Sequence, residues 1–164
     1  MRNINSLTKK ITVLAMALMV LITASATRAD AAVPADLTSQ QIEAAIEDAF
    51  AGLISFDAPR LLQHYADEAI LEDPVGTTPM QGKTAIAAYL AAFPTLFNQL
   101  KLYSLDIKPG GQEAGVTWRI RFTTKTGKVF FLEGIGWFKF NEQGLIQHEK
   151  QFFDLAYFLD QLQD

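Results

Sequence analysis

The period of the hydrophobic pattern changes once along this chain, and that change limits the fold more than any single motif does. Up to about residue 93, apolar residues recur at spacings of three and four; from about residue 100 they alternate. Ile42, Ala45, Ile46, Ala49, Phe50 and Leu53 share one face of a helix that Thr38 opens, with Gln41 at capping-box spacing. A second short helix is predicted from Ala58 to Tyr65, burying Leu61, Leu62 and Tyr65, and a third from Lys83 to about Phe93, ended near Pro94. Between them, Ala69 to Asp73 reads as a strand closed by Pro74 and Gly76. Strands are then predicted at 100–107, 116–124, 128–140 and 145–153, separated by Pro109-Gly110-Gly111, Thr126-Gly127 and Asn141 to Gly144. A last helical pattern covers about 156–162. Helices first and an antiparallel meander after them describe an α+β domain, with N-terminal helices packed on one face of a curved sheet.

The first 26 residues read as an addition to that domain. Arg2, Lys9 and Lys10 precede an apolar run from Ile11 to Ile22, and Ala24-Ser25-Ala26 offers a cleavage site, with Ala29-Asp30-Ala31 as a second. That layout predicts a secretory signal peptide at 1–26, a loose leader at 27–37 and the folded domain at 38–164. The apolar run is shorter than the roughly 20 residues of a spanning helix, so an exported, periplasmic or secreted protein is expected and not a membrane-anchored one. With the three leader cations removed from 14, 11 basic residues face 18 acidic ones, a net charge of −7. That balance argues against nucleic-acid binding, which needs clustered Lys and Arg, and no basic amphipathic helix suggests membrane docking.

The chain has no cysteine, which excludes disulfides, thiolate metal sites and a cysteine nucleophile. Its histidines, His64 and His148, are far apart and lack HExxH spacing; no metal and no cofactor is implied. Neither a GxSxG elbow nor a phosphate-binding loop occurs, and Gly134-Ile135-Gly136 lacks the third glycine of a dinucleotide fingerprint. The remaining chemistry belongs to carboxylates, hydroxyls and hydrophobic shape. Asp73 is the leading carboxylate. It precedes Pro74, which favours extended backbone at Asp73 and carries the strand to its end. In the pleat Asp73 shares a face with Leu71, and Glu72 shares the other with Ile70. Read by itself, Asp-Pro-x-Gly is also a common turn opener.

The stretch LEDPVGTTPMQGKTAIAAY at 71–89, preceded by LLQHYADEAIL and followed later by WFKFNEQGLIQHEKQFFDLAYFLDQL, resembles the ketosteroid isomerase branch of the NTF2-like (SnoaL-like) superfamily. The resemblance runs from about residue 40 to the end. It implies a cone in which helices and a strongly curved antiparallel sheet enclose an apolar pocket. It also implies that Asp73 is the general base that moves a proton between carbons of a ketone. In such enzymes an oxyanion hole of a tyrosine and a protonated aspartate assists the base. Here the matched positions are Ala49 and Gly136, and Glu133 on the same strand has the opposite parity.

The resemblance extends the pocket to Tyr65, Tyr89, Glu149, Gln151 and Phe153, while Phe50 and Phe138 stand at core-like spacing among the aromatics of which a subset lines the cavity. In its register Thr117, Arg119, Arg121 and Thr123 also face inward, with Arg119 or Arg121 opposite Glu149 and an acid or oxyanion as ligand. A sheet shifted by one residue instead leaves both arginines in solvent. In the first register Trp118, Phe122, Ile135 and Trp137 form an apolar convex face, for which a homodimer is expected. The expected activity is double-bond isomerisation of a small hydrophobic carbonyl compound. The alternatives are a non-catalytic carrier of a small hydrophobic or acidic ligand and a SnoaL-type cyclase or hydrolase.

Overall fold

Thr38 starts the first helix of the computed structural model, which describes residues 37–163. The signal peptide expected at 1–26 and the leader at 27–37 lie outside the described residues, apart from Leu37. Thr38 Oγ1 accepts from the Gln41 N–H at 3.2 Å, and the Thr38 N–H donates to Gln41 Oε1 at 2.9 Å. This reciprocal cap opens α1 (Ser39–Ile54), which buries Ile42, Ile46, Ala49 and Phe50. Asp57 caps α2 (Ala58–Leu62), which ends earlier than its periodicity predicts. Tyr65 is buried as expected, but as the first residue of β1 (Tyr65–Glu72), where it pairs with Ile146.

The short β2 (Met80–Gln81) leads into α3 (Gly82–Leu90), and α4 (Phe93–Leu96) follows around Pro94, whose ring nitrogen cannot donate to continue α3. The meander is β3 (Phe97–Gly110), β4 (Glu113–Thr124), β5 (Val129–Phe140) and β6 (Ile146–Phe152), closed by α5 (Leu155–Gln161). All six strands form one sheet in the order β2-β1-β6-β5-β4-β3, antiparallel except where β1 runs parallel to β6. Helices therefore cover one face of an otherwise antiparallel sheet, as the change of period requires. Among the described residues no helix is long and apolar enough to cross a membrane.

One register differs from the inward-arginine expectation. Along β4 the buried residues are Ala114, Val116, Trp118, Ile120, Phe122 and the terminal Thr124, while Thr117 and Arg119 are exposed. Burying Trp118, Ile120 and Phe122 removes far more apolar area from water than burying two threonines and two arginines, and inward guanidinium groups would need partners. Arg119 instead stacks over Phe131 on the outer face, 4.5 Å from its ring centroid. Arg119 and Arg121 therefore leave the set of candidate site residues, and Trp118 and Phe122 leave the outer face. Ile135 does point outward and is 56% exposed. Phe122 packs between Phe97 and Phe130, at centroid separations of 4.9 and 5.1 Å, and Phe158 of α5 reaches all three rings.

Candidate active site

The parallel pairing of β1 with β6 is what brings the acidic side chains together. Leu71 lies opposite Glu149 and Glu72 opposite Lys150, so the face of β1 that carries Leu71 is also the face of Glu149 and Gln151, and Asp73, one residue past the end of β1, lines the same cavity. Beyond a cis Asp73–Pro74 peptide, the Val75 N–H donates to the Gln151 carbonyl at 2.8 Å and keeps the chain against β6. Glu72 points the other way, to His148 Nε2 at 2.9 Å and Lys150 Nζ at 3.1 Å. The pleat thus sorts two neighbouring acids, Glu72 to the ion pairs outside and Asp73 to the interior.

That interior is a cavity of about 630 Å³, its open mouth included. Asp73, Glu149 and Gln151 supply its polar wall. Phe50, Tyr65, Tyr89, Phe138 and Phe153, all expected from the sequence, line it as well. The sequence reading missed Trp118, Phe122 and Phe158; the unbroken apolar alternation of β4 was the signal for the first two. Ala49 of α1 also lines the cavity, at the position where the resemblance places a tyrosine.

Gly136 is buried beside Gln151, and a Cβ built on it would lie 3.1 Å from both terminal atoms of that amide and 2.9 Å from the Phe138 ring. The space next to the position where an aspartate is expected is filled by the Gln151 side chain. The polar side chains of the cavity come from β1, α3, β4, β6 and Asp73, and α1 and β5 supply none of them.

These polar groups form two connected sets. Tyr89 Oη donates to Asp73 Oδ2 at 3.0 Å. Tyr65 Oη donates to Glu149 Oε2, and Gln151 Nε2 donates to Glu149 Oε1 at 2.6 Å. Trp118 Nε1 donates to Gln151 Oε1 at 2.8 Å. Burial lifts the Asp73 carboxyl to about 6, against the lowering effect of the Tyr89 hydrogen bond. Burial likewise lifts Glu149 to about 7; Tyr65 and Gln151 oppose the rise, and the nearby Asp73 charge adds to it. Burial also raises Tyr65 and Tyr89 well above the ordinary phenol range, so both remain protonated donors.

A carboxyl poised near 6 beside one near 7 is a base and an acid available together close to neutral pH. The histidines take no part. His64 binds Asp48 at 2.7 Å near α2, and His148 pairs with Glu72 outside. Among the described residues no group of His, Cys, Asp or Glu is arranged to hold a metal ion.

Comparison with known proteins shows a family and a shared fold. A family model described as a SnoaL-like domain matches residues 46–149, more than half of the chain. A candidate polyketide cyclase from Xanthomonas campestris has a similar structure, with a TM-score of 0.68 at 16% identity over 76% of this chain and 98% of its own. A second candidate polyketide cyclase, from Silicibacter sp., gives 0.67 at 17% identity over 78% and 99%. TerC, co-crystallised with polyporic acid, gives 0.65 at 17% identity over 76% and 99%. At these identities the likeness is one of fold.

Proposed function

The chain belongs to the SnoaL-like domain family and has its NTF2-like α+β fold, and from that premise we propose that the cavity catalyses proton transfer at a carbon next to a carbonyl group. The observation that carries this reading is the Asp73 carboxyl, set in an apolar wall and raised to about 6 by burial, with protonated Glu149 close enough to feel its charge. Asp73 removes the α-proton of a small hydrophobic ketone. Glu149, as its neutral acid, donates to the carbonyl oxygen as enolate charge develops there, the task that oxyanion donors perform elsewhere. Tyr65 and Gln151 hold the Glu149 carboxyl in place.

Returning the proton to a different carbon gives the isomerisation that resemblance to ketosteroid isomerases implies. A second reading, favoured by the neighbouring candidate polyketide cyclases, has the same enolate attack a second carbonyl of the ligand and close a ring. Both share the first step. That step is tested by NMR detection of deuterium uptake from D₂O into α-positions of a panel of ketones, including a β,γ-unsaturated ketosteroid whose conjugation is followed by absorbance. Asp73→Asn is expected to lower exchange by roughly 10²–10⁴-fold, the usual value of a general base. Ketones that bind without exchanging in the wild-type protein would leave a carrier as the function.

Export follows from the residue pattern of 1–26, and N-terminal sequencing of secreted protein checks it. A homodimer through the outer face of β5 and β6, where Ile135 and Phe152 are exposed, is part of the same proposal, with sedimentation at micromolar concentration as its check.

A further inference from the structure

The hydrogen-bond donors of the cavity are engaged with its own acceptors. The hydroxyls of Tyr89 and Tyr65 donate to Asp73 and Glu149, and the Gln151 amide donates to Glu149. The Trp118 indole N–H, which can only donate, is taken by the Gln151 carbonyl oxygen. Once both carboxyls are ionised, what remains for a ligand is one N–H of the Gln151 amide and a larger acceptor capacity: an ionised carboxylate offers about four lone-pair sites, and neither carboxyl is saturated.

Nothing basic among the described residues compensates these two acids. Among the described residues, no Lys, Arg or His lines the cavity. The polar groups adjacent to the acids in sequence, Glu72, His148 and Lys150, satisfy one another on the opposite face. Arg119 lies on that outer face too. The groups facing Asp73 and Glu149 are Tyr89 from α3, Tyr65 from β1 and Gln151 from β6, all uncharged.

A carboxylate held in an apolar wall without a counter-ion is costly, and a ligand that brings a positive charge with N–H donors relieves that cost. A ligand that brings a third carboxylate adds to it. Phe50, Phe93, Phe153 and Trp118 supply aromatic surface, which favours both a hydrocarbon body and a cation lying over a ring. We propose that the cavity is a binding site for a lipophilic primary or secondary ammonium ion, whose N–H groups donate to Asp73 and Glu149 and whose hydrocarbon part lies against the aromatic wall. This ligand class is the reverse of the acid that inward-facing arginines would have suited. The proposal concerns the cavity of the proton-transfer reading but requires occupancy only, not turnover.

The pH dependence has a fixed sign. An aliphatic ammonium stays charged below about pH 9, whereas the carboxyls ionise as pH rises through about 6 and about 7. Affinity for the cation therefore rises across that window and levels above it. Affinity for a neutral ligand of the same shape has no such gain.

The test is calorimetric titration of the purified protein with phenethylamine, phenethyl alcohol and hydrocinnamic acid at pH 8 and pH 5. At pH 8 the amine is expected to bind at least about tenfold tighter than the alcohol, the gain of one charge-assisted hydrogen bond, and the acid weakest of the three. At pH 5 the advantage of the amine shrinks to a few-fold. Glu149→Gln is expected to bring amine affinity towards that of the alcohol, and Arg119→Ala, on the outer face, to change neither. The comparison within wild-type protein decides the matter even if a variant fails to fold. Equal affinities for amine and alcohol at pH 8, or tightest binding of the acid, would overturn the proposal. The deuterium-exchange assay stands apart from it: amine selectivity without ketone exchange upholds the cation site and removes the enolising enzyme. Exchange without amine selectivity does the reverse.

Discussion

Trp118 Nε1 lies 2.8 Å from Gln151 Oε1, and because an indole can only donate, this bond fixes which end of the Gln151 amide faces Glu149. The NH₂ end is turned to Glu149 Oε1 at 2.6 Å, where it favours the carboxylate over the acid. A residue of β4 that touches neither carboxyl thereby biases the titration of one. Trp118→Phe keeps an aromatic ring but removes the donor, freeing the amide to reverse and present its oxygen to Glu149. The expected result is a rise in the Glu149 pKa, read as an alkaline shift of the basic limb of the exchange-rate profile. A loss of about 1–3 kcal/mol in urea unfolding is also expected from the disturbed buried pair. An unmoved limb with lowered stability would make Trp118 a packing residue only.

The rate profile itself follows from the two carboxyls. Asp73 must be ionised to accept a proton, so kcat/KM is expected to rise as pH passes about 6. Glu149 must be protonated to donate, so the rate falls as pH passes about 7. The profile is a narrow bell with its maximum between those values, and its limbs belong to the interacting pair, not to either residue by itself. Glu149→Gln keeps a donor and cannot ionise, so its profile should hold a plateau on the alkaline side. A bell that survives Glu149→Gln would assign the alkaline limb to another group.

The same two groups link stability to pH in a direction opposite to the usual surface carboxylate. Both are raised in the folded state, from 3.8 to about 6 for Asp73 and from 4.5 to about 7 for Glu149. The folded protein therefore holds more protons than the unfolded chain between about pH 4 and 7, and stability falls as pH rises through that window. Their contribution is fully present below the unfolded values and fully lost above the folded ones. Each shift corresponds to a difference on the order of 3 kcal/mol. Urea midpoints of wild type and Glu149→Gln at pH 5 and pH 8 isolate the Glu149 part: the variant is expected to lose less stability on going to pH 8. Equal losses would place Glu149 in a more hydrated setting than its burial indicates.

What could be read from the sequence divides along local and long-range lines. The cap of Thr38 with Gln41 was legible because both partners lie within one turn, and the helix-to-strand change was legible because each period shows within a single element. That Asp73, Tyr89, Glu149 and Gln151 line one cavity was legible through the resemblance, which fixes positions along whole elements. Tyr65 was assigned to a helix because LLQHY has helical spacing; its strand role depends on parallel pairing with Ile146, 81 residues away in sequence. The face of β4 was open in the sequence because Thr117, Arg119, Arg121 and Thr123 look like pocket chemistry, and one residue of register exchanges the two faces. Apolar area decided between them, and Trp118 with its hydrogen bond to Gln151 came inside as a result.

Gly136 and Gln151 together account for the absent aspartate, and they can be tested as a pair. A Cβ at Gly136 meets the Gln151 amide at 3.1 Å and the Phe138 ring at 2.9 Å, so Gly136→Asp drives a carboxyl into space already filled. The amide is the far end of a flexible side chain, but it is held by Trp118 and Glu149 and yields only by breaking one of those bonds. Gly136→Asp in an otherwise unchanged protein is therefore expected to destabilise by about 1–3 kcal/mol, the usual cost of overpacking. It should also depress exchange activity by disturbing Glu149. Gln151→Ala vacates the space, and Gly136→Asp added to it should cost less than in the native background. The double-mutant cycle then shows a favourable coupling on the order of 1 kcal/mol or more, as contacting residues do. Additive losses would mean that Phe138 and not Gln151 limits the site. In that case the Phe138 ring, and not the Gln151 amide, fills the space where the aspartate is expected.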